Sequence, residues 1–395
     1  MVHRRDPRPV KISIVLGPFQ PVPPEGHGAV EKVWFELAQA FARSGHAVRL
    51  IGKGDVPAVP GGQAQGVHVV QVRGFAATGR LWLDLAKDLV YALAMRRHIE
   101  PCDVIVTNTF WMPVVLRWLG PRRGKVVVHV ARFPKGQMGL YADAGALQAI
   151  SSSVAQEIVR QCPAVKDKVR VLPYPIDLQV YRPPESRRRY DGELVLLYVG
   201  RIHPEKGVGL LLAAFRRVLQ LVPQARLRLV GPVAVEQGGG GAAYLESLRT
   251  AAGGLPVEFV GAIRDPVLLA DEYRGAHCFC YPSLAEKGEA LGLAVLEAMA
   301  TALPVVVSDL ACFRDFVTHD VDGVTFDHRA PAPEVALAEA LGRILSNPGL
   351  AARLGQGASA RAQDFELEKV ARRYVALFED VALERRIGYI SRPDA

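Results

Sequence analysis

The chain has 395 residues, half of them hydrophobic and 22% charged, which suits two globular cores and rules out a disordered polymer. No apolar run is long enough to span a bilayer, and the stretch at 12–16 after the basic start breaks at Gly17-Pro18, too soon for a secretory signal core, so a cytoplasmic protein is expected. A net charge of +8 and a pI near 9.3 suit anionic partners, phosphorylated substrates or the inner face of an acidic membrane among them. The basic residues lie in short dispersed clusters without interleaved aromatics, which argues against nucleic-acid binding.

The first strand is expected at 11–16. A glycine- and proline-rich loop follows, in which Gly26 and Gly28 would allow backbone to approach a ligand closely, and then a helix to Ser44, stopped by Gly45. This is not the dinucleotide fingerprint, because no G-x-G-x-x-G follows the strand. Further strands are expected at 47–51, 67–72, 103–107, 125–130 and 169–172, filled with Val, Ile and Leu on both faces like parallel strands covered by helices. His129 falls at the end of the 125–130 strand, where it reads either as a core histidine or as a group turned towards a ligand.

Residues 181–192 are rich in proline and charge and lack apolar periodicity, the pattern of a domain boundary. The strand pattern restarts at 194–199, and Gly200, Arg201 and Lys206 lie in the loop that leads to a helix at 207–222. Two cations at the end of a strand suit a diphosphate, although they also read as surface charges. Strands at 226–230, 257–260, 277–281, 304–308 and 323–326 complete a second doubly wound α/β domain, and the tail from Glu334 is helical with breaks near Pro348 and Asp364. Two such domains would leave a cleft between them.

Within 281–300, Glu289 lies in the loop after a strand and Glu297 inside the next helix. The helix start near Gly292 and Leu293 offers backbone N–H groups to an anion. By themselves the two glutamates read equally as a helix-start carboxylate and a solvated helix residue. Asp320-Val-Asp322 precedes Gly323 and reads as turn chemistry rather than a metal motif. The five cysteines show no Cys-x-x-Cys pair and read as buried small hydrophobes, with zinc or a disulfide as alternatives.

With these segments in this order, nearly the whole chain resembles the retaining glycosyltransferases of the GT-B fold, specifically glycosyltransferase family 4. The most specific parts are Val199-Gly-Arg-x-x-x-x-Lys-Gly207 and the Glu289-x7-Glu297 block, followed by Ala-Met-Ala and Pro304-Val-Val-Val-Ser. The resemblance implies an α/β architecture of two Rossmann-like domains facing a central cleft. It puts an acceptor-side domain at 1–182, a linker at 183–192, a nucleotide-sugar donor domain at 193–370, and a C-terminal helix at 371–395 that packs back on the first domain. It also implies that Arg201 and Lys206 hold the donor diphosphate, Glu297 the ribose and Glu289 the donor sugar, with backbone near Gly200, Gly292 and Leu293 at the phosphates. His129 would lie near the transferred sugar and Gly28 near diphosphate and acceptor.

Three departures stand out: Gly26-His27-Gly28 where Gly-Gly is usual, Leu291 where Phe is frequent, and Asp315 where Glu is common. The expected reaction is sugar transfer from a nucleotide donor, uridine favoured over guanosine, with retention of anomeric configuration and with neither metal nor cofactor. The acceptor would be a glycan, a lipid-linked sugar or a small molecule, met by loops that include Arg132, Lys135 and Tyr141. The alanine-, arginine- and glycine-rich composition looks bacterial and points to envelope polysaccharide assembly. The alternatives are another GT-B enzyme, such as a sugar-nucleotide epimerase or a phosphorylase, and a two-lobed sugar-binding protein without turnover.

Overall fold

The computed structural model describes residues 8–24, 29–54, 62–119, 123–186, 188 and 190–390. The chain divides into unit 1, Met1–Pro175 with Leu367–Ala395, and unit 2, Ile176–Glu366.

Unit 1 begins with β1 (Lys11–Val15), α1 (Ala29–Arg43), β2 (Ala47–Gly54), β3 (Gly62–Ala64), β4 (Val67–Arg73), α2 (Leu81–Met95), β5 (Val104–Thr107) and α3 (Met112–Leu119). It continues with β6 (Lys125–Val130), β7 (Ala146–Ala149), α4 (Ser152–Gln161) and β8 (Val169–Val171). The strands form one sheet in the order β3-β4-β2-β1-β5-β6-β7-β8, parallel except for β3. The chain runs one way across the sheet through α1 and the other way through α2 and α3. Right-handed crossovers therefore put α1 on one face and α2 with α3 on the opposite face. On the first face α1 buries Val33, Trp34, Leu37 and Phe41. The C-terminal helix Leu367–Ile390 packs there, Tyr374 edge-on to Trp34 and Phe378 edge-on to Phe41. On the opposite face Tyr91 and Met95 of α2 join Met112, Val115 and Leu116 in one apolar cluster.

Unit 2 contains β9 (Leu194–Val199), α5 (Val208–Leu221), β10 (Ala225–Val230), α6 (Gly241–Ala251), β11 (Val257–Gly261), α7 (Pro266–Gly275) and β12 (Cys278–Tyr281). After these come α8 (Leu293–Ala300), β13 (Val305–Ser308), β14 (Val324–Phe326), α9 (Pro333–Leu345) and α10 (Pro348–Ala362). All six strands are parallel, in the order β11-β10-β9-β12-β13-β14. The order reverses between β9 and β12, so the helices that follow these two strands, α5 and α8, lie on opposite faces of the sheet and the C-terminal ends of the strands mark the switch point.

The expected linker at 183–192 belongs to unit 2. Arg188 is drawn into it, its guanidinium donating to the carbonyl oxygens of Ala276, Ala302, Tyr273 and Thr301 at 2.6–3.3 Å. Those carbonyls belong to chain ends around α7 and α8 that need donors, and a guanidinium supplies several from one residue. Sequence periodicity also missed β7, which is only four residues long, and α2, whose apolar residues surround the helix instead of forming a stripe. Four of the five cysteines are buried and all are free; Cys278 and Cys280 lie inside β12 as apolar residues. Among the described residues no helix is long and apolar enough to cross a membrane.

Candidate functional site

The site in unit 2 is built on the two strands that flank the switch point. From the end of β9 the chain turns through Gly200 and Arg201 to a short 3-10 turn, Pro204–Lys206, and enters α5 at Gly207. From the end of β12 it runs through Pro282 to Glu289 and enters α8 at Gly292. Leu284 N donates to Glu205 O at 2.8 Å and ties the two loops together. Gly207 has φ +72°, and a Cβ there would overlap the carbonyl oxygen of Pro282, so only glycine lets the loops come this close.

The centre of the site is a buried ion pair, with Lys206 Nζ 2.7 Å from Glu289 Oε2 and side chains 5% and 8% exposed. Lys206 also lies 5.6 Å from the centre of the Tyr281 ring, over its face. Tyr281 stacks on Tyr198 at 5.9 Å, and the Tyr198 hydroxyl donates to Arg201 O at 2.8 Å, which holds the β9 turn from beneath. Burial pushes both phenols well above their ordinary pKa, so both stay neutral donors. Arg201 is partly exposed. It bonds Glu205 Oε1 and Gly238 O, each at 2.7 Å, which leaves the guanidinium on the wet side of the loop.

The third component is the start of α8. Gly292 takes a left-handed conformation (φ 81°, ψ 60°), and a Cβ there would lie 2.5 Å from Phe313 Cε1. The first N–H groups, on Leu293 and Ala294, have no acceptor within the helix, and Gly292 brings no capping side chain. One turn further on, Glu297 is buried and accepts from the Tyr273 hydroxyl at 2.8 Å, so it is not the solvated helix residue that spacing alone allowed. Unit 2 thus gathers Gly200, Arg201, Lys206, Glu289, Gly292, Leu293 and Glu297 around one switch point. Two carboxylates, two cations and a helix start there can receive an anion and a polyol together.

His129 lies in unit 1 and is enclosed. Register places it opposite Gln148, and its Nδ1 meets Gln148 Oε1 while Nε2 lies 2.9 Å from the Tyr174 hydroxyl. Gln148 Nε2 donates to Ala149 O and Leu172 O, so Gln148 Oε1 must accept. The imidazole proton therefore sits on Nδ1, and Tyr174 donates to Nε2. Burial holds this histidine down to a pKa of about 4, neutral at physiological pH. Arg132 and Lys135 are exposed, whereas Tyr141 is buried and donates to Phe110 O at 3.0 Å. Gly26, His27 and Gly28 lie outside the described residues. Asp320 and Asp322 form a turn, Asp322 Oδ1 accepting Thr318 N at 2.6 Å, with Arg343 and Arg361 as their ionic partners.

Sequence reasoning missed Tyr198, Tyr273, Tyr281, Gln148, Tyr174 and Glu205. Only Glu205 carried a signal, as a carboxylate four residues after Arg201 on one loop.

The family described as Glycosyl transferases group 1 matches residues 183–361, and the one described as Glycosyltransferase Family 4 matches residues 30–180. A D-inositol 3-phosphate glycosyltransferase of Geodermatophilus obscurus is 30% identical over 310 residues, 71% of this chain and 67% of the relative. One of the same name from Streptomyces bingchenggensis is 32% identical over 264 residues, a match that spans 64% of this chain and only 56% of the relative's length. Among solved structures, sucrose-phosphate synthase from Thermosynechococcus elongatus superposes with a TM-score of 0.77 at 22% identity, covering 95% of this chain and all of the other. Anabaena HepE in complex with UDP-glucose does so with a TM-score of 0.68 at 18% identity, covering 95% and 99%. Two parallel-sheet Rossmann-like units of the GT-B class are shared with these neighbours.

Proposed function

This chain belongs to glycosyltransferase family 4, and from that premise we propose that it moves a sugar from a nucleoside-diphosphate donor, uridine preferred, to an acceptor hydroxyl with retention of configuration. The observation that carries the reading is the buried Lys206–Glu289 pair at the β9/β12 switch point, with Arg201 and the α8 start beside it. Burying two charges is costly, and their retention at this position fits a ligand that uses them. Here a diphosphate would exchange places with the internal partners, taking Arg201 from Glu205 and Lys206 from Glu289. The freed Glu289 carboxylate would then accept from hydroxyls of the donor sugar, and Glu297, oriented by Tyr273, from those of the ribose.

In the transfer step the anomeric carbon–oxygen bond breaks and its electron pair moves to the distal phosphate oxygen. Arg201, Lys206 and the Leu293 and Ala294 N–H groups stabilise the charge that grows there. The acceptor oxygen bonds to the anomeric carbon on the face the diphosphate leaves, and the acceptor proton passes to the departing phosphate oxygen. No protein nucleophile takes part, and the two cations supply the charge that a divalent metal would otherwise bring. His129, neutral and enclosed in unit 1 between Gln148 and Tyr174, is no proton carrier in this scheme. UDP-glucose in HepE supports a uridine donor, and the acceptor named for the bacterial relatives supports a polyol hydroxyl as the attacking group.

The test is release of nucleoside diphosphate from a panel of uridine and guanosine diphosphate sugars with polyol acceptors, with and without chelator. Transfer that persists in chelator and vanishes in Arg201→Ala plus Lys206→Ala supports the reading. Undiminished transfer in that double variant overturns it.

A further inference from the structure

We propose that the α2–α3 face of unit 1 docks on an anionic phospholipid surface. Neighbouring α4 has an ordinary outer face: it buries Val154 and Ile158 and shows Gln156 and Arg160 to solvent. Helix α2 does not. Its outward positions, spaced one turn apart, are Trp82 (68% exposed), Ala86 and Val90 (57% exposed), with Leu81 exposed beside them. Its three charged residues are all engaged elsewhere: Asp84 accepts from Thr78, Lys87 donates to Ala76 O at 2.7 Å, and Asp88 is buried and accepts Trp111 N at 2.8 Å. Helix α3, on the same face of the sheet, adds Trp118 at 70% exposure, and Leu140 is exposed on the 3-10 turn Met138–Tyr141 that packs against α3.

Charge decides what this face meets. Arg80 at the start of α2, Arg97 just past its end and Arg73 at the end of β4 are exposed, and none forms an ion pair with a described residue. The exposed Asp143 next to this region is neutralised by Arg117 at 2.9 Å. The result is a helical face with an exposed tryptophan on each of α2 and α3, flanked by unpaired arginines at both ends of α2, the combination that partitions into the headgroup layer of anionic bilayers. A second copy of the chain fits less well, because a two-fold contact through this face would bring two positively charged faces together.

The experiment is co-sedimentation of the full chain with vesicles of phosphatidylcholine alone and with vesicles also containing phosphatidylglycerol, together with tryptophan emission. The expected result is binding to the anionic vesicles only, weakened by salt, with a blue shift in emission. Trp82→Ser plus Trp118→Ser should reduce partitioning by about tenfold or more and abolish the shift, and Arg80→Glu plus Arg97→Glu should reduce partitioning as well. All four residues are on the surface, so thermal unfolding of both variants should match the parent. Failure of the parent chain to bind anionic vesicles overturns the proposal, as does equal binding by the tryptophan variant. Self-association that the tryptophan variant abolishes, without vesicle binding by the parent, overturns it in favour of a contact between copies.

Discussion

Both units bury polar side chains at the C-terminal ends of their strands, and they do so by opposite means. Unit 2 keeps charges, a lysine against a glutamate at 2.7 Å over a stacked pair of tyrosines. Unit 1 keeps neutral groups, a histidine whose proton is fixed on one nitrogen by a glutamine and whose other nitrogen takes a proton from a tyrosine. A buried ion pair is rarely the most stable filling for a space, so its retention points to a ligand that will claim the charges. A fully satisfied neutral network needs no such ligand and rigidifies the fold that contains it.

The largest effect that sharpens this contrast is the separation of stability from activity in unit 2. Lys206→Ala leaves Glu289 buried without its ionic partner and should cost unit 2 about 3 kcal/mol or more, read by chemical unfolding. Lys206→Met plus Glu289→Leu should recover most of that stability while transfer stays down by about a thousandfold or more. A double variant as unstable as the single one would mean that the pair serves the fold, and the contrast would break.

Unit 1 offers the matching test through pH. The unfolded chain protonates His129 near its ordinary pKa of 6.5, whereas the folded chain resists until about 4. Between these values the unfolded state binds more protons, so this contribution is complete above the upper value and is lost on acidification through the window, about 3 kcal/mol in all. Asp88, pushed up by burial to about 6, works in the opposite direction, because the folded state is the one that binds its proton first. The readable quantity is therefore the difference between the parent and His129→Asn, which should lose less stability between neutral pH and about 4. Equal losses would show that His129 is charged in the folded chain.

Smaller effects test how closely the loops of unit 2 are set. Gly207→Ala must hold a left-handed backbone and push Pro282 away, for a cost of about 2 kcal/mol or more in stability and a loss of transfer. Tyr273→Phe removes one donor from Glu297 and should cost about 1 kcal/mol, seen chiefly as weaker donor binding in a titration. If Tyr273→Phe changed turnover and left donor binding intact, Glu297 would not be a ribose acceptor.

The charged half of the unit 2 site was legible in the sequence because each part is local. Arg201 and Lys206 follow one strand and Glu289 follows another, and the end of a strand is where an open α/β sheet presents its loops. The aromatic support was not legible. Tyr198 and Tyr281 lie on adjacent strands β9 and β12, and strands of this kind are apolar throughout, so nothing marks the two that stack beneath a lysine. His129 was visible, but its role was not, because its partners lie 19 and 45 residues away. Arg188 was read as part of a charged linker, since composition cannot show that four backbone carbonyls are waiting for it.

The sequence by itself determined two parallel α/β sheets, the division of the chain into two units and the identity of the charges at the second sheet's switch point. Periodicity and loop position are properties of neighbouring residues, and they survive without knowledge of the fold. Tertiary structure decided which of those charges are buried and paired, which tautomer His129 holds, and that α2 turns tryptophan and valine outward. Each of these depends on what approaches from a distant part of the chain, and burial, not residue type, sets the cost of a charge and the worth of an apolar surface.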